Sequence, residues 1–77
     1  MGTGYWLQLG AFSVQANAEQ LLAKLKGELG GLADALRIQT VDGLYRLRAG
    51  PFQTSGEAND AAAQLKRVTD IQPVLLR

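Results

Sequence analysis

The chain contains an internal repeat that limits the folds open to it. The stretch Tyr5–Ser13, YWLQLGAFS, returns 40 residues later as Tyr45–Gln53, YRLRAGPFQ. Equivalent positions carry the same residue at Tyr5 and Tyr45, Leu7 and Leu47, Gly10 and Gly50, Phe12 and Phe52, Ala18 and Ala58, and Leu25 and Leu65. Each copy combines an alternating strand, a glycine turn and an amphipathic helix, and each needs a further strand to close it. The repeat therefore predicts two related halves that share one sheet.

Two amphipathic helices are predicted, one after each copy of the repeat. In the first, Asn17 is expected to be the N-cap, and Gly30-Gly31 is expected to end the helix. In the second, Thr54 and Glu57 form the capping-box pattern T-x-x-E. The apolar stripes are Ala18, Leu21, Leu22, Leu25 and Leu29 in the first helix and Ala58, Ala61, Ala62, Leu65 and Val68 in the second. These stripes predict that both helices pack on the sheet.

Four strands complete the predicted fold. They are Tyr5–Ala11, Leu36–Val41, Leu44–Ala49 and Ile71–Leu76. Asp42-Gly43 is a strong signal for a two-residue hairpin between the second and third strands. Pro73 cannot donate to a sheet ladder, so the last strand is expected to lie at an edge or to begin late. The order β-α-β-β-α-β predicts an α+β fold of the ferredoxin-like or RNP-like type, with a four-stranded antiparallel sheet and two helices on one face.

The other face of this sheet is left open and is the obvious binding surface. Strand alternation predicts that it carries Trp6, Gln8, Arg37, Gln39, Leu44, Arg46 and Arg48. The same alternation directs Gly10 outward and Ala11 toward the core. Arg46 and Arg48 form the densest positive cluster in the chain. Arg37 and Gln39 either line the groove or are ordinary solvated strand residues, and the second interpretation is favoured, since outward polar side chains are the default on such a face.

Composition excludes several classes of function. The chain has 77 residues and a net charge of +1, which predicts one domain without a strong field for nucleic acid or anionic membrane. It has no His and no Cys, so imidazole and thiolate chemistry and the usual zinc sites are ruled out. The seven acids are Glu19, Glu28, Asp34, Asp42, Glu57, Asp60 and Asp70. Each has a structural explanation in a helix or turn, so no catalytic residue, metal site or cofactor is expected.

The sequence shows neither the pattern of a membrane span nor that of a secretory signal peptide. No apolar run approaches the roughly 18 residues that a membrane span requires, and no signal-peptide pattern opens the sequence. Residues 1–4, Met-Gly-Thr-Gly, indicate a tag or linker remnant. We therefore expect residues 5–77 to be a single excised domain, monomeric, whose signal or lipid anchor lies outside this sequence.

The repeated motifs resemble those of a known family. LQLGAFS at Leu7–Ser13 and YRLRAGPF at Tyr45–Phe52, each followed by a helix striped with Ala and Leu, closely resemble the SPOR domain, the sporulation-related repeat. The resemblance covers nearly all of the chain from Tyr5 onward. The ending PVLLR is similar to the C-terminus of a parent envelope protein of the rare lipoprotein A type, a lytic transglycosylase.

This resemblance implies a non-catalytic domain of the bacterial cell envelope, in the periplasm, that binds peptidoglycan. The implied ligand is the glycan strand without stem peptides, the denuded glycan that accumulates at the division septum. The family's sugar-binding positions match Gln8, Phe12, Ser13 and Leu44, the last of which is often aromatic in relatives. Trp6 is a candidate substitute for that aromatic contact. Arg46 or Arg48 would pair with lactyl carboxylates, and Gly10 would allow close approach of the strand.

Two functions of other classes remain open on the sequence. An open four-stranded sheet backed by two helices is also the architecture of RRM domains, which stack RNA bases on sheet aromatics. The near-neutral charge and the missing K/R-G-F-x-F signature argue against RNA. A regulatory or protein-docking module of the ferredoxin-like kind is the other alternative, and a stable dimer paired through its sheets would support it.

Overall fold

The computed structural model describes residues 4–76 and confirms the predicted order of elements. The elements are β1 (Tyr5–Phe12), α1 (Gln15–Leu29), a 3₁₀ segment (Gly30–Ala35), β2 (Leu36–Val41), β3 (Leu44–Phe52), α2 (Ser55–Val68) and β4 (Val74–Leu76). The 3₁₀ segment has no counterpart among the predicted elements. The expected linker remnant over residues 1–4 falls mostly on residues 1–3, which lie outside the described residues.

The four strands form one antiparallel sheet in the order β2-β3-β1-β4. The repeated strands β1 and β3 are therefore neighbours at the centre, as the two-halves prediction requires. Pro73 immediately precedes β4, which is an edge strand of three residues. The prediction for this strand is confirmed in both respects, because it begins late and lies at an edge.

The hydrophobic core lies between the helices and one face of the sheet. Its largest fully buried side chains are Leu7, Leu25, Leu47 and Leu65. These are two pairs of repeat equivalents, one on the central strands and one on the helices. Burying a leucine stabilises a fold by roughly 1.5–3 kcal/mol. Ala58 and Ala61 of α2 are also buried, and their small side chains let α2 lie close to the sheet.

The hairpin between β2 and β3 has the predicted two-residue turn. Asp42 and Gly43 both have positive φ, 55° and 78°, which is the signature of a type I′ turn. Val41 consequently pairs with Leu44, and the ladder continues from there to Leu36 opposite Ala49. This turn decides which residues of β2 lie beside which residues of β3.

A β-bulge in β1 changes the side of the sheet on which two residues were predicted to lie. Gln8 pairs with Arg48, but Gly10 pairs with Leu47. Two residues of β1 therefore lie opposite one residue of β3 at this point. Alternation is broken at this point. Gly10 therefore lies on the core side with the fully buried Leu47, and Ala11 is exposed on the open face opposite Arg46. The predictions of an outward Gly10 and an inward Ala11 were wrong.

A second irregularity lies where β3 passes Trp6. Tyr5 pairs with Phe52 and Leu7 with Ala49, so here the extra residue belongs to β3. Gly50 lies in this irregular stretch with φ of 141°. A Cβ atom on Gly50 would lie 2.9 Å from the backbone oxygen of Tyr5 and 3.1 Å from the Trp6 ring. The absence of a side chain thus lets the Trp6 indole rest on the backbone of β3.

The two helices begin differently although they follow equivalent turns. In α2 the capping box is confirmed: Thr54 Oγ1 accepts a hydrogen bond from the Glu57 backbone N–H at 3.1 Å. In α1 the N-cap is Val14, which makes no side-chain cap, so the prediction of Asn17 was wrong. The repeat register starts both helices at the same place, and Val14 is the equivalent of Thr54. Asn17 lies inside the first turn instead, its N–H bonded to the Val14 carbonyl at 3.1 Å. The predicted end of α1 is confirmed, with Gly30 as C-cap at φ 59°.

We expect Gly50→Ala to lower the free energy of unfolding by at least about 2 kcal/mol, because a side chain is strained at this φ and collides with Tyr5 and Trp6. Chemical denaturation of the purified domain measures this change. Gly27→Ala is the matched control: Gly27 lies within α1 and a Cβ there meets nothing within 4 Å. That variant should gain about 0.5–1 kcal/mol. Equal stability of the two variants would contradict the account of Gly50.

Candidate functional site

The open face of the sheet collects polar and aromatic side chains from three strands. Trp6 and Gln8 come from β1, and the hairpin register sets Arg37 opposite Arg48 and Gln39 opposite Arg46. All seven residues expected on this face share it: Trp6, Gln8, Arg37, Gln39, Leu44, Arg46 and Arg48. Val74 of β4 pairs with Gln8 and adds an apolar side chain that is 55% exposed. The edge strand was not predicted to contribute to this surface.

Hydrogen bonds join four of these side chains into one array. Gln8 Oε1 accepts from Arg48 Nε and Nη2, each at 3.3 Å, and from Arg46 Nη1 at 3.4 Å. On the other side, Arg48 Nη1 donates to Gln39 Oε1 at 3.0 Å. The Arg48 guanidinium is thus held between amide side chains from β1 and β2. The array orients charged groups across the centre of the sheet without neutralising them.

The array leaves donor capacity unused. A guanidinium has five N–H donors, and Arg46 shares with Arg48 the single oxygen of Gln8. Arg46 Nε is buried and has no hydrogen-bond partner among residues 4–76. The bonds of 3.3–3.4 Å to Gln8 are beyond the usual range of N–H···O distances. An anionic acceptor placed over Arg46 and Arg48 would therefore find donors that are oriented but weakly engaged.

The open face is much more positive than the chain as a whole. Three of the eight basic residues, Arg37, Arg46 and Arg48, lie on it. All seven acids lie outside the four strands. Arg37 and Arg48 are also directly paired, and like charges opposite one another destabilise a sheet. A positive cluster with neutral partners is typical of a surface that binds an anionic or acceptor-rich ligand.

Trp6 is held at one end of this surface by two neighbours. Its six-membered ring lies against Gly50, as described above. The Arg37 guanidinium lies over the ring, with Cζ 5.6 Å from the ring centroid, which is a cation–π contact. The exposed part of the indole is therefore beside the arginine cluster rather than isolated from it.

Three of the residues proposed from the sequence lie elsewhere. Gly10 and Phe12 are on the core side of the sheet, where Phe12 packs against the hydrophobic cluster and pairs with Tyr45. Ser13 is exposed in the turn after β1. The bulge in β1 places Gly10 and Phe12 on the core side because it shifts the alternation by one residue, whereas Ser13 lies beyond the end of the strand. These three residues are not brought together with the array, whereas Trp6, Gln8, Leu44, Arg46 and Arg48 are.

Sequence reasoning missed the involvement of Arg37 and Gln39. Both were interpreted as solvated, yet Gln39 accepts from Arg48 and Arg37 covers Trp6. The signal for Gln39 was present in the sequence. A two-residue turn at Asp42-Gly43 sets the pairing of the hairpin, and that pairing puts Gln39 and Arg37 beside the two arginines of β3.

A second cationic region lies away from the open face. Lys24, Lys66 and Arg67 line a cavity of about 500 Å³ at the end of α2, together with Asp70. All four of these residues are exposed, and basic residues at this point suit the negative end of the helix dipole. Residues 4–76 contain no cluster of side chains that would hold a metal ion. Neither of their helices has the length and hydrophobicity of a membrane-spanning segment.

Residues 2–77 match the sequence model of the SPOR domain family. The chain belongs to the SPOR domain family. SPOR domains are non-catalytic modules, so this domain is not an enzyme, in agreement with its lack of histidine and cysteine. Membership confirms the resemblance that the two glycine–aromatic motifs suggested.

Two solved structures resemble this SPOR domain over almost its full length. One is the crystal structure of the SPOR domain of RlpA from Pseudomonas aeruginosa, which is 32% identical with a TM-score of 0.78 and covers 96% of this chain and 99% of that one. The other is the solution structure of the peptidoglycan-binding domain of the Bacillus subtilis cell wall lytic enzyme CwlC, 28% identical with a TM-score of 0.73, covering 99% of this chain and 91% of that one. No curated protein sequence matches the chain. The neighbours confirm the four-stranded antiparallel sheet with two helices as the family's fold.

Replacing Gln8 by glutamate tests the electrostatics of this SPOR face. Gln8→Glu places a carboxylate where three guanidinium N–H groups already converge, and hydrogen bonds to charged groups are stronger than neutral ones. We expect the free energy of unfolding to rise by about 1 kcal/mol at low salt and the gain to shrink as salt is added. Denaturant melts at two salt concentrations measure both effects. Gln72→Glu, at an exposed position outside the helices and strands, is the control; an equal gain there would show that net charge alone is responsible.

Proposed function

We propose that this SPOR domain binds peptidoglycan through the open face of its sheet, and that its ligand is the glycan strand without stem peptides. Family membership and the likeness to a peptidoglycan-binding domain support the general function. The observation that carries the finer assignment is the array of Arg46, Arg48 and Gln8 on a face whose strands contain no acid.

The chemistry of a denuded strand matches this array. Removing a stem peptide by cleaving its amide bond leaves a free lactyl carboxylate on the sugar. Arginine pairs with carboxylates through charge-assisted and frequently bidentate hydrogen bonds. Arg46, whose Nη1 makes only a long bond of 3.4 Å to Gln8, is a donor for such an oxygen. A strand that keeps its peptides presents neutral amides and bulky branches at the same positions, so the array favours the stripped form.

The remaining residues of the face suit the uncharged parts of a sugar chain. N-acetyl groups and hydroxyls need amide donors and acceptors, which Gln8 and Gln39 supply. The apolar faces of sugar rings need apolar partners. Trp6, Leu44 and the exposed Val74 provide these around the polar array. The face therefore combines ionic, hydrogen-bonding and apolar contacts within one surface.

Binding of this ligand would set the domain's place in the cell. Association with peptidoglycan implies a cell-envelope location, and we propose the periplasm and the division septum, where denuded strands accumulate. In this proposal, residues 5–77 act as a monomeric targeting module for a parent envelope protein. A lytic transglycosylase of the RlpA type is the parent that the neighbouring structure favours.

The decisive test compares retention of the domain on purified sacculi before and after an amidase removes the stem peptides. We expect stronger retention on stripped sacculi. Arg46→Ala should weaken that binding about tenfold, because one charge-assisted interaction is lost, and should reduce its dependence on salt. Arg67→Ala removes an equal charge from the distant cavity and is expected to bind like the wild type.

Several results would contradict parts of the proposal. Equal retention on treated and untreated sacculi would overturn the preference for denuded strands, and absence of retention on both would overturn peptidoglycan binding. Affinity that does not change with salt, or with Arg46→Ala, would remove the role of the arginines. Retention on single-stranded RNA at physiological salt would instead favour the RRM-like alternative.

A further inference from the structure

We infer that Arg37 is a specificity-determining residue that links recognition of a carboxylate to exposure of the Trp6 ring. Arg37 covers the indole in the structure. A ligand that carries a carboxylate binds the guanidinium, moves it away from the indole and can then stack on the exposed ring. A neutral sugar has no carboxylate to bind Arg37 and must displace the guanidinium by stacking alone. This inference rests on the proposed function and deepens it, since it names the feature of the glycan that opens the site.

The geometry requires Arg37 to cross the face. Arg37 lies on β2 and Trp6 on β1, and β3 separates these strands. Neighbouring strands are about 4.8 Å apart, so β2 and β1 are about 10 Å apart, and the side chains of Arg37 and Trp6 meet by extending toward each other over β3. The Trp6 ring rests on β3 at Gly50, which has no side chain to obstruct it. The Arg37 side chain thus lies over the surface that a glycan would occupy.

Few groups near Arg37 compete with Trp6 for its guanidinium. Its paired neighbour is Arg48, which repels it, and Arg48 is itself held by Gln8 and Gln39. No acid lies on any of the four strands. The cation–π contact with Trp6 is therefore the interaction that places the guanidinium. A carboxylate arriving near Arg37 and Arg48 would relieve their repulsion and offer a stronger partner.

The relative strengths of two interactions decide the outcome. A cation–π contact at an exposed site is weak, and Arg37 is exposed. A single exposed ion pair is also weak, but a carboxylate between the paired residues Arg37 and Arg48 accepts hydrogen bonds from two guanidinium groups and relieves their repulsion, so it is the stronger partner. A carboxylate therefore displaces the indole as the partner of Arg37. A neutral oligosaccharide has no group able to do so and must overcome the contact through stacking on Trp6 alone.

The test is a titration of the 77-residue chain and its Arg37→Ala variant with two ligands. One is amidase-stripped glycan, which carries carboxylates, and the other is a neutral oligomer of N-acetylglucosamine of matched length. Calorimetry gives the affinities, and Trp6, the single tryptophan of the chain, reports ring contact by fluorescence. In the variant we expect the neutral oligomer to bind about threefold tighter and the stripped glycan about tenfold weaker.

Two variants separate this role from general charge. Arg67→Ala removes the same charge far from the face and should keep the wild-type ratio of affinities. Arg37→Lys keeps a cation at the position and should retain most of the preference for the stripped glycan. In the absence of ligand, acrylamide should quench Trp6 more strongly in Arg37→Ala than in the wild type, because the ring loses its cover.

The outcomes distinguish this inference from the proposed function. If the wild type does not bind stripped glycan, the proposed function fails and the inference fails with it. If the wild type binds stripped glycan but the ratio of the two affinities is the same in Arg37→Ala, the inference alone is overturned. Unchanged acrylamide quenching would also overturn it, since Arg37 would then not cover the ring.

Discussion

The fold depends on four leucines that lie between the helices and the sheet. Leu7 and Leu47 project from the two central strands, and Leu25 and Leu65 project from the two helices. Because both helices bury their apolar stripes against the same side, the opposite side of the sheet is left without a cover. The surface proposed to bind the glycan is therefore a direct result of where the core lies. A ligand can reach the uncovered face without entering a cavity. Such an open surface suits an extended polymer better than an enclosed pocket would.

The chemistry of that surface is decided by strand register. The two-residue hairpin places the polar residues of β2 beside those of β3, and the central β1–β3 pairing places Gln8 beside Arg48. Each arginine is then oriented by a neutral amide from a neighbouring strand. Neutral partners hold the guanidinium groups in place and leave their charge available. A carboxylate in the place of either amide would have oriented them equally well but would have neutralised one of the three positive charges on this face.

Much of this arrangement was predictable from local patterns, and the parts that were not have physical reasons. Strand β2, the hairpin at Asp42-Gly43 and the capping box of α2 depend on neighbouring residues and were predicted correctly. The bulge at Gly10 depends on how β1 meets β3, and strict alternation cannot reveal it. Phe12, which was proposed for the sugar site from the family resemblance, lies on the core side as a result and packs against the hydrophobic cluster. The contact between Arg37 and Trp6 joins side chains of two strands that are not neighbours, so it depends on how the finished sheet brings these side chains together over β3.

The repeat has a last consequence that follows from its symmetry. Gln8 and Arg48 are 40 residues apart, so they are equivalent positions of the two halves, and they are also direct partners in the central pair of strands. The approximate two-fold axis of the domain therefore passes between them. A dimer of two separate, identical halves would place the same residue on both sides of this axis, two arginines or two glutamines. A single continuous chain has no such restriction. Here the hydrogen-bond acceptor of Gln8 lies opposite the donors of Arg48 at the centre of the sheet.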